Sequence, residues 1–290
     1  MLSVGIASLA PCVAVALSAF SCCQAALADQ PSTNRYVMLK IDDVENCQGG
    51  VDPRFVRVAE YLASKKLKSG FGVIVGSVES LPNRDCIEWI RHNAVENGGY
   101  IEFWNHGWDH AMKFTCREAD ACDHEKNLVA EFSGTCQEHQ RKHLARAQET
   151  FRRCTGLTMR TFGTPGNAWD ENTVAVLKEH PEIKVWFFGD GKAESGKSVL
   201  GRWLNLEYAV GKVSYGDFAR HYQMNRQRKY VVLQGHAAMW SAAMFEDFKR
   251  IVELLVAEGW IFVTPAEFCN LETLPDVSSA TPMRTRFSQK

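Results

Sequence analysis

Tyr36-Val37-Met38-Leu39-Lys40-Ile41-Asp42-Asp43 is a mostly apolar run that stops at two adjacent carboxylates. A short run of this kind, bounded by polar residues, reads as a buried strand. The next segment reads as a helix over 54–66, because Phe55, Val58, Ala59 and Leu62 share one face at helical spacing. The alternation then repeats: a strand at Phe71–Val75, a helix over 84–96, a strand at Tyr100–Trp104, and a charged helical stretch over 125–153 broken at Gly134. Further strands are expected at Val185–Phe188, Tyr230–Leu233 and Trp260–Val263. Between the last two lies a helix over 242–258, carried by Phe245, Phe248, Ile251, Val252 and Leu255 and closed by Gly259 as its C-cap. Strands alternating with helices along the chain predict one α/β domain built on a parallel sheet or barrel.

Composition agrees with a folded chain. Of 290 residues, 46% are hydrophobic and 23% charged, and the 21 glycines and 9 prolines are too few for a disordered or fibrous protein. The formal net charge of −1 leaves no basic field for a nucleic-acid backbone, which excludes nucleic acid as a partner class. Met1–Ala28 has no charged side chain, an apolar core at Val13–Phe20, and ends in Ala26-Leu27-Ala28. This reads as an export signal with a small-residue cleavage site and predicts a secreted or periplasmic protein. A retained membrane anchor and a lipid-modified Cys22 are the competing readings, and only the first would make the membrane a partner. Removing residues 1–28 leaves seven of the ten cysteines: Cys47, Cys86, Cys116, Cys122, Cys136, Cys154 and Cys269. An oxidising compartment then predicts up to three disulfides and one free thiol, with Cys116 and Cys122 the favoured pair. A zinc site of these two with His110 and His124 is the alternative. The folded domain is expected over 30–274, followed by a polar tail at 275–290.

In α/β folds the C-terminal ends of parallel strands carry the chemistry. Asp42-Asp43 ends the first strand, and His106-Gly107-Trp108-Asp109-His110 follows the third. Thr161-Phe162-Gly163-Thr164-Pro165-Gly166-Asn167 can wall a groove, and the strand at 230–233 runs into Gln234-Gly235-His236, with Trp240 close by. Taken singly these read as a turn, a chance histidine pair, a tight turn and a structural histidine. In sequence they supply a carboxylate and two histidines for a metal, a second carboxylate as base and a late histidine as acid, the equipment of a metal hydrolase. One motif points elsewhere: Gly191-Lys192-Ala193-Glu194-Ser195-Gly196-Lys197-Ser198 satisfies the phosphate-loop pattern. No helical pattern follows it and no acidic strand end is available for Mg²⁺, so it reads as a solvated loop. Trp186, in an apolar strand, reads as core.

The order of these motifs resembles the polysaccharide deacetylases with the NodB-type domain, similar to carbohydrate esterase family 4. The likeness runs from Arg35 to Phe268 and includes the closing stretch Gly259–Phe268. It implies a distorted (β/α) barrel in a single domain and the removal of N-acetyl or O-acetyl groups from an amino sugar or polysaccharide. By the same resemblance Asp42 is the catalytic base, Asp43, His106 and His110 are ligands of a divalent metal, expected to be Zn²⁺, and His236 is the general acid. Thr164, Pro165, Gly166 and Trp240 are expected to face the carbohydrate. The sequence departs from the family at Gly163, where an arginine that orients the base is the rule. Arg160 lies three residues earlier. A catalytically silent carbohydrate-binding relative is therefore the alternative, with a phosphate-loop enzyme behind it.

Overall fold

The apolar run at the start of the domain is strand β1, Arg35–Val44, and it lies within a sheet whose neighbours are all parallel to one another. The computed structural model describes Met1 and residues 34–112, 130–191 and 194–271. After β1 come a small hairpin, β2 (Asn46–Cys47) and β3 (Gly50–Val51), then β4 (Ser69–Val73), β5 (Ile101–Asn105), β6 (Thr161–Gly163), β7 (Val185–Phe187) and β8 (Ser198–Leu200). A second hairpin, β9 (Glu207–Ala209) and β10 (Lys212–Val213), precedes β11 (Tyr230–Gly235) and β12 (Trp260–Phe262). The main sheet runs β11-β1-β4-β5-β6-β7-β8, with β12 added to the start of β1. Its two ends, β11 and β8, are not paired, so the barrel stays open on one side. The helices are α1 (Pro53–Ser64), α2 (Val75–Glu79), α3 (Arg84–Asn93), α4 (Gln137–Thr155), α5 (Glu171–Lys178), α6 (Tyr215–Asn225), α7 (Ala242–Ala257) and α8 (Pro265–Leu271). The result is a distorted (β/α) barrel in a single domain.

Period-two alternation explains how β1 serves two layers. Val37, Leu39 and Ile41 point outward into a core shared with Phe55, Val58 and Leu62 of α1 and Phe248, Ile251 and Leu255 of α7. Tyr36 and Met38 point inward and pack with Trp104, Phe187, Val232 and Phe268. Lys40 and Asp42 continue that inner row, and both are buried. Asp52 starts α1 by accepting the Arg54 N–H, with Pro53 in the first turn. Inside the barrel the Trp104 ring lies flat across glycines. A Cβ would come within 2.4 Å of it at Gly72 and 2.8 Å at Gly163, so both positions must lack a side chain.

Several expectations need correction. Of the helical stretch expected over 125–153, residues 125–129 lie outside the described residues, 130–136 form turns with Gly134 at φ +78°, and α4 begins at Gln137. Residues 161–163 form β6, which three residues are too few to reveal by alternation. The strand expected at Phe71–Val75 stops at Val73, because Val75 already belongs to α2. The phosphate-loop reading fails on geometry. Ser198 opens β8 rather than a helix, and Lys197 Nζ donates to the His180 carbonyl at 2.7 Å. Trp186 is fully buried and meets Trp169 edge-on. Among the described residues no helix is long and apolar enough to cross a membrane. Cys47, Cys86, Cys154 and Cys269 are free. The leader beyond Met1, the pair Cys116 and Cys122, His124 and the tail at 275–290 lie outside the described residues.

Candidate active site

Parallel strands bring their C-terminal ends to one side of the barrel. Ile41, just before the acidic pair, stands level with Gly235 of β11 and Phe71 of β4, and Asn105, just before His106, stands level with Val73 and Phe162. Asp42, Asp43, His106, Thr164 and His236 therefore leave neighbouring strands at the same height. Adjacent residues of a regular strand face opposite ways, and both aspartates could not enter one site. The register of β1 slips between Ile41 and Val44, and Asp43 takes φ +68°. This bulge turns the second carboxylate toward the same end as the first.

Asp43 Oδ1 lies 3.1 Å from His106 Nε2 and 3.3 Å from His110 Nε2. His106 Nδ1 is 2.7 Å from the Gly163 carbonyl, which can only accept, so Nδ1 carries a proton and Nε2 is the ring atom turned toward Asp43. Asp43 Oδ1 is buried without a hydrogen-bond partner. Lone pairs of one carboxylate and two imidazoles facing a common point fit a divalent cation with open positions left over. Burial, and then the neighbouring His106, hold His110 below the ordinary imidazole value, which keeps it neutral and able to ligate. Burial would raise the Asp43 carboxyl, but the His106 hydrogen bond and the positive charge that His106, His110 and His236 carry when protonated outweigh it and hold the group well below the usual carboxylate range.

The loop carrying these histidines is held from beneath by Glu131, a residue the sequence did not single out. Its fully buried carboxylate accepts the backbone N–H groups of Trp108 at 2.6 Å and His110 at 2.9 Å, and His143 Nδ1 lies 3.0 Å away. Asn105 Oδ1 accepts the Gly107 N–H at 2.8 Å, and Gly107 and His110 both take positive φ. Asp109, Glu131 and His143 also lie within ligand distance of one another, but both oxygens of Glu131 already face backbone N–H groups of this loop.

Asp42 is 1% exposed, and its two oxygens differ. Oδ2 accepts from Lys40 Nζ at 2.5 Å and from Gln234 Nε2 at 2.6 Å, while Oδ1 is buried with no hydrogen-bond partner. Asn167 Nδ2 steadies Gln234 by donating to its Oε1 at 3.1 Å. His236 presents Nε2 3.9 Å from Asp42 Oδ2, and its Nδ1 is 2.7 Å from Glu207 Oε2. Glu207 also accepts the His236 N–H at 2.8 Å, the Gly211 N–H at 2.8 Å and Trp240 Nε1 at 2.6 Å. Burial would lower the His236 pKa, but the bond to Glu207 and the charges of Asp42, Glu207 and Asp43 outweigh it and hold the imidazole above its ordinary value. That is the bias a proton donor needs.

Of the residues expected to face carbohydrate, Thr164 and Pro165 are buried at the end of β6, Thr164 Oγ1 has no hydrogen-bond partner, and Gly166 is exposed at φ +61°. Trp240 is elsewhere. It is 2% exposed, packs on Phe248 and donates to Glu207, so it supports the acid instead of walling a groove. Arg160 is exposed at the N-terminal end of β6, away from the site, and does not replace the arginine that Gly163 lacks. Sequence reading missed Glu207 and Glu131 and gave Lys40 and Gln234 no role.

Residues 29–182 match the polysaccharide deacetylase family model. No curated protein sequence matches the chain. Among solved structures, a family 4 acetyl xylan esterase from Clostridium thermocellum, in complex with a cobalt ion, superposes with a TM-score of 0.56 at 19% identity. The match covers 83% of this chain and 93% of that one. The peptidoglycan deacetylase PdaC from Bacillus subtilis gives a TM-score of 0.50 at 12% identity, over 82% and 91% of the two chains. A family 4 pseudoenzyme from Bacillus anthracis gives 0.51 at 12% identity, over 81% of this chain and 65% of that one. At these identities the likenesses speak for the fold. Since the family model spans more than half of the sequence and the barrel is the one it implies, the chain belongs to the polysaccharide deacetylase family.

Proposed function

We propose that the protein is an exported, metal-dependent hydrolase that removes N-acetyl groups from an amino sugar or polysaccharide. The observation that carries this reading is the buried Asp42 carboxylate beside the Asp43, His106 and His110 cluster, with Oδ2 3.8 Å from His106 Nε2 and 3.9 Å from His236 Nε2. Asp43, His106 and His110 would hold the metal, for which Zn²⁺ suits two imidazoles and one carboxylate. A divalent cation bound there polarises the acetyl carbonyl and acidifies water. Asp42 takes the proton of the attacking water, while Lys40 and Gln234 fix the carboxylate through Oδ2. His236, with Nδ1 against Glu207, gives the proton from Nε2 to the departing amine, so water and amide yield acetate and a free amine. Amines leave poorly without that proton, which is why an amide substrate suits a strongly oriented acid. Gly166, exposed next to the buried Thr164 and Pro165, is the residue of this loop that would meet the carbohydrate. Export rests on the uncharged Met1–Ala28 stretch and its small-residue end.

Acetate release from N-acetylated oligosaccharides and from peptidoglycan fragments, with and without a chelator, tests this. Release that stops on chelation and returns with added Zn²⁺ or Co²⁺ is expected. Undiminished release after complete metal removal, or none from any acetylated glycan with the metal loaded, would overturn it.

A further inference from the structure

The inner row of β1 contains a cation that packing does not require. Lys40 is fully buried, and a buried ammonium is destabilising unless its charge and protons are matched. Met38, two residues earlier on the same row, is equally buried and apolar. A methionine at position 40 would fill the same space without any ion to desolvate. The Lys40 ammonium has one anionic partner, Asp42 Oδ2 at 2.5 Å. Around it stand the rings of Trp104 at 4.8 Å, Phe188 at 5.3 Å and Phe187 at 5.8 Å, whose faces attract a cation and exclude water. The other nearby cation, Arg202, is partly buried and turns its Nε to Asn205 Oδ1 at 2.7 Å. No side chain reaches Asp42 from β6. A Cβ on Gly163 would sit 2.8 Å from the Trp104 ring and 3.4 Å from Lys40 Cε.

We propose that Lys40 is a positioning residue for the reaction: its ammonium pins Oδ2 of Asp42 and so fixes the orientation of the carboxylate that takes the proton. This rests on the reading of Asp42 as the base. Gln234 shares the task from β11, but through a neutral amide that Asn167 must itself hold in place. Lys40 supplies the nearest full charge on that oxygen, at 2.5 Å, with His236 Nε2 farther off at 3.9 Å. A carboxylate that lost it would be free to rotate, and displacing a reacting atom by about 1 Å costs roughly 10²-fold in rate.

The test compares Lys40→Met, which keeps the length of the stem and removes charge and donor, with Lys40→Arg, which keeps both. In Lys40→Met we expect kcat for acetate release to fall about 10²-fold or more, KM to stay within about threefold, and metal content to equal that of the wild type, since no ligand has been touched. Lys40→Arg should recover at least about tenfold of the loss. Wild-type kcat in a folded Lys40→Met protein would overturn the proposal, as would equal losses in both variants with KM rising in step. Should Lys40→Met not fold, Lys40→Gln decides, because its amide still donates to Oδ2 without charge: an intermediate kcat supports the proposal and wild-type kcat overturns it. Crystal structures of wild type and Lys40→Met give a readout that needs no turnover and so separates this proposal from the deacetylase reading. A rotated Asp42 carboxylate in the variant supports the role of Lys40, and an unmoved one contradicts it whatever the enzyme's activity.

Discussion

Replacing Glu207 by glutamine separates an oriented acid from a histidine that merely packs at a strand end. Four N–H groups converge on this carboxylate: His236 N–H and Trp240 Nε1–H on Oε1, His236 Nδ1–H and Gly211 N–H on Oε2. A glutamine keeps one accepting oxygen and turns an NH₂ group toward the other two donors, so two bonds to a buried charged acceptor are lost. At about 1.5–3 kcal/mol each, stability should fall by roughly 3–6 kcal/mol before relaxation. The loss also has a pH signature. Glu207 helps to hold the folded-state pKa of His236 above its ordinary value, so this contribution to stability is full below about pH 6.5 and fades as pH rises through the raised value. The wild type should therefore lead Glu207→Gln by more at pH 5.5 than at pH 8.5, measured as thermal midpoints. For the reaction, the acid must be protonated, so the alkaline limb of kcat/KM on an amide substrate should move to lower pH in Glu207→Gln, because burial still lowers the imidazole and less now opposes it. An alkaline limb that does not move, together with an equal stability gap at both pH values, would refute the assignment of Glu207 and His236 as a coupled pair.

Four further outcomes follow from other parts of the site. His236→Ala should cut amide hydrolysis by about 10²–10⁴ and cleavage of an activated aryl acetate far less, because an aryl oxide leaves unaided; equal losses with a lowered melting point would remove His236 from catalysis. Glu131→Gln should weaken metal binding about 10–100-fold, read by competition with a chromogenic chelator, because the backbone of the His110 loop loses its anchor. Gly163→Ala should lower stability by about 1–3 kcal/mol, measured by denaturant melts, since its Cβ meets the Trp104 ring at 2.8 Å. Lys197→Ala should leave acetate release unchanged, and nucleotide binding abolished by this change would contradict the loop assignment.

The parts of the fold legible in the sequence are those whose pattern is long enough to repeat. β1, α1 and α7 each carry several apolar residues at their own period, and α7 is closed by Gly259 at φ +78°. β6 and β8 have three residues each and show no alternation, so Thr161–Gly163 looks like a loop until its neighbours are seen, whereas β7, equally short, is legible as an apolar run. In the long charged stretch the break at Gly134 is legible, and α4 starts just after it, at Gln137. At the site, the residues that leave strand ends, Asp42, Asp43, His106, His110 and His236, were visible as motifs. Their supports were not. Glu207 sits on a hairpin strand with no periodic signal, and its partner His236 is 29 residues away. Trp240 is expected from the sequence to face carbohydrate, and only its bond to Glu207 reveals why an aromatic stands there. Lys40 did leave a trace, since counting back by two from Asp42 places it on the same face of β1, and a lysine within an apolar run facing a carboxylate marks a buried pair.

The account turns on Asp42 acting as the base beside a metal it does not bind. Asp42→Asn, purified with one equivalent of Zn²⁺ or Co²⁺ and assayed for acetate release from an N-acetylated glycan, tests this most directly. The account predicts metal retained at wild-type stoichiometry by Asp43, His106 and His110, with release lowered by about 10²–10⁴. Loss of the metal in this variant, or release at the wild-type rate, would contradict it.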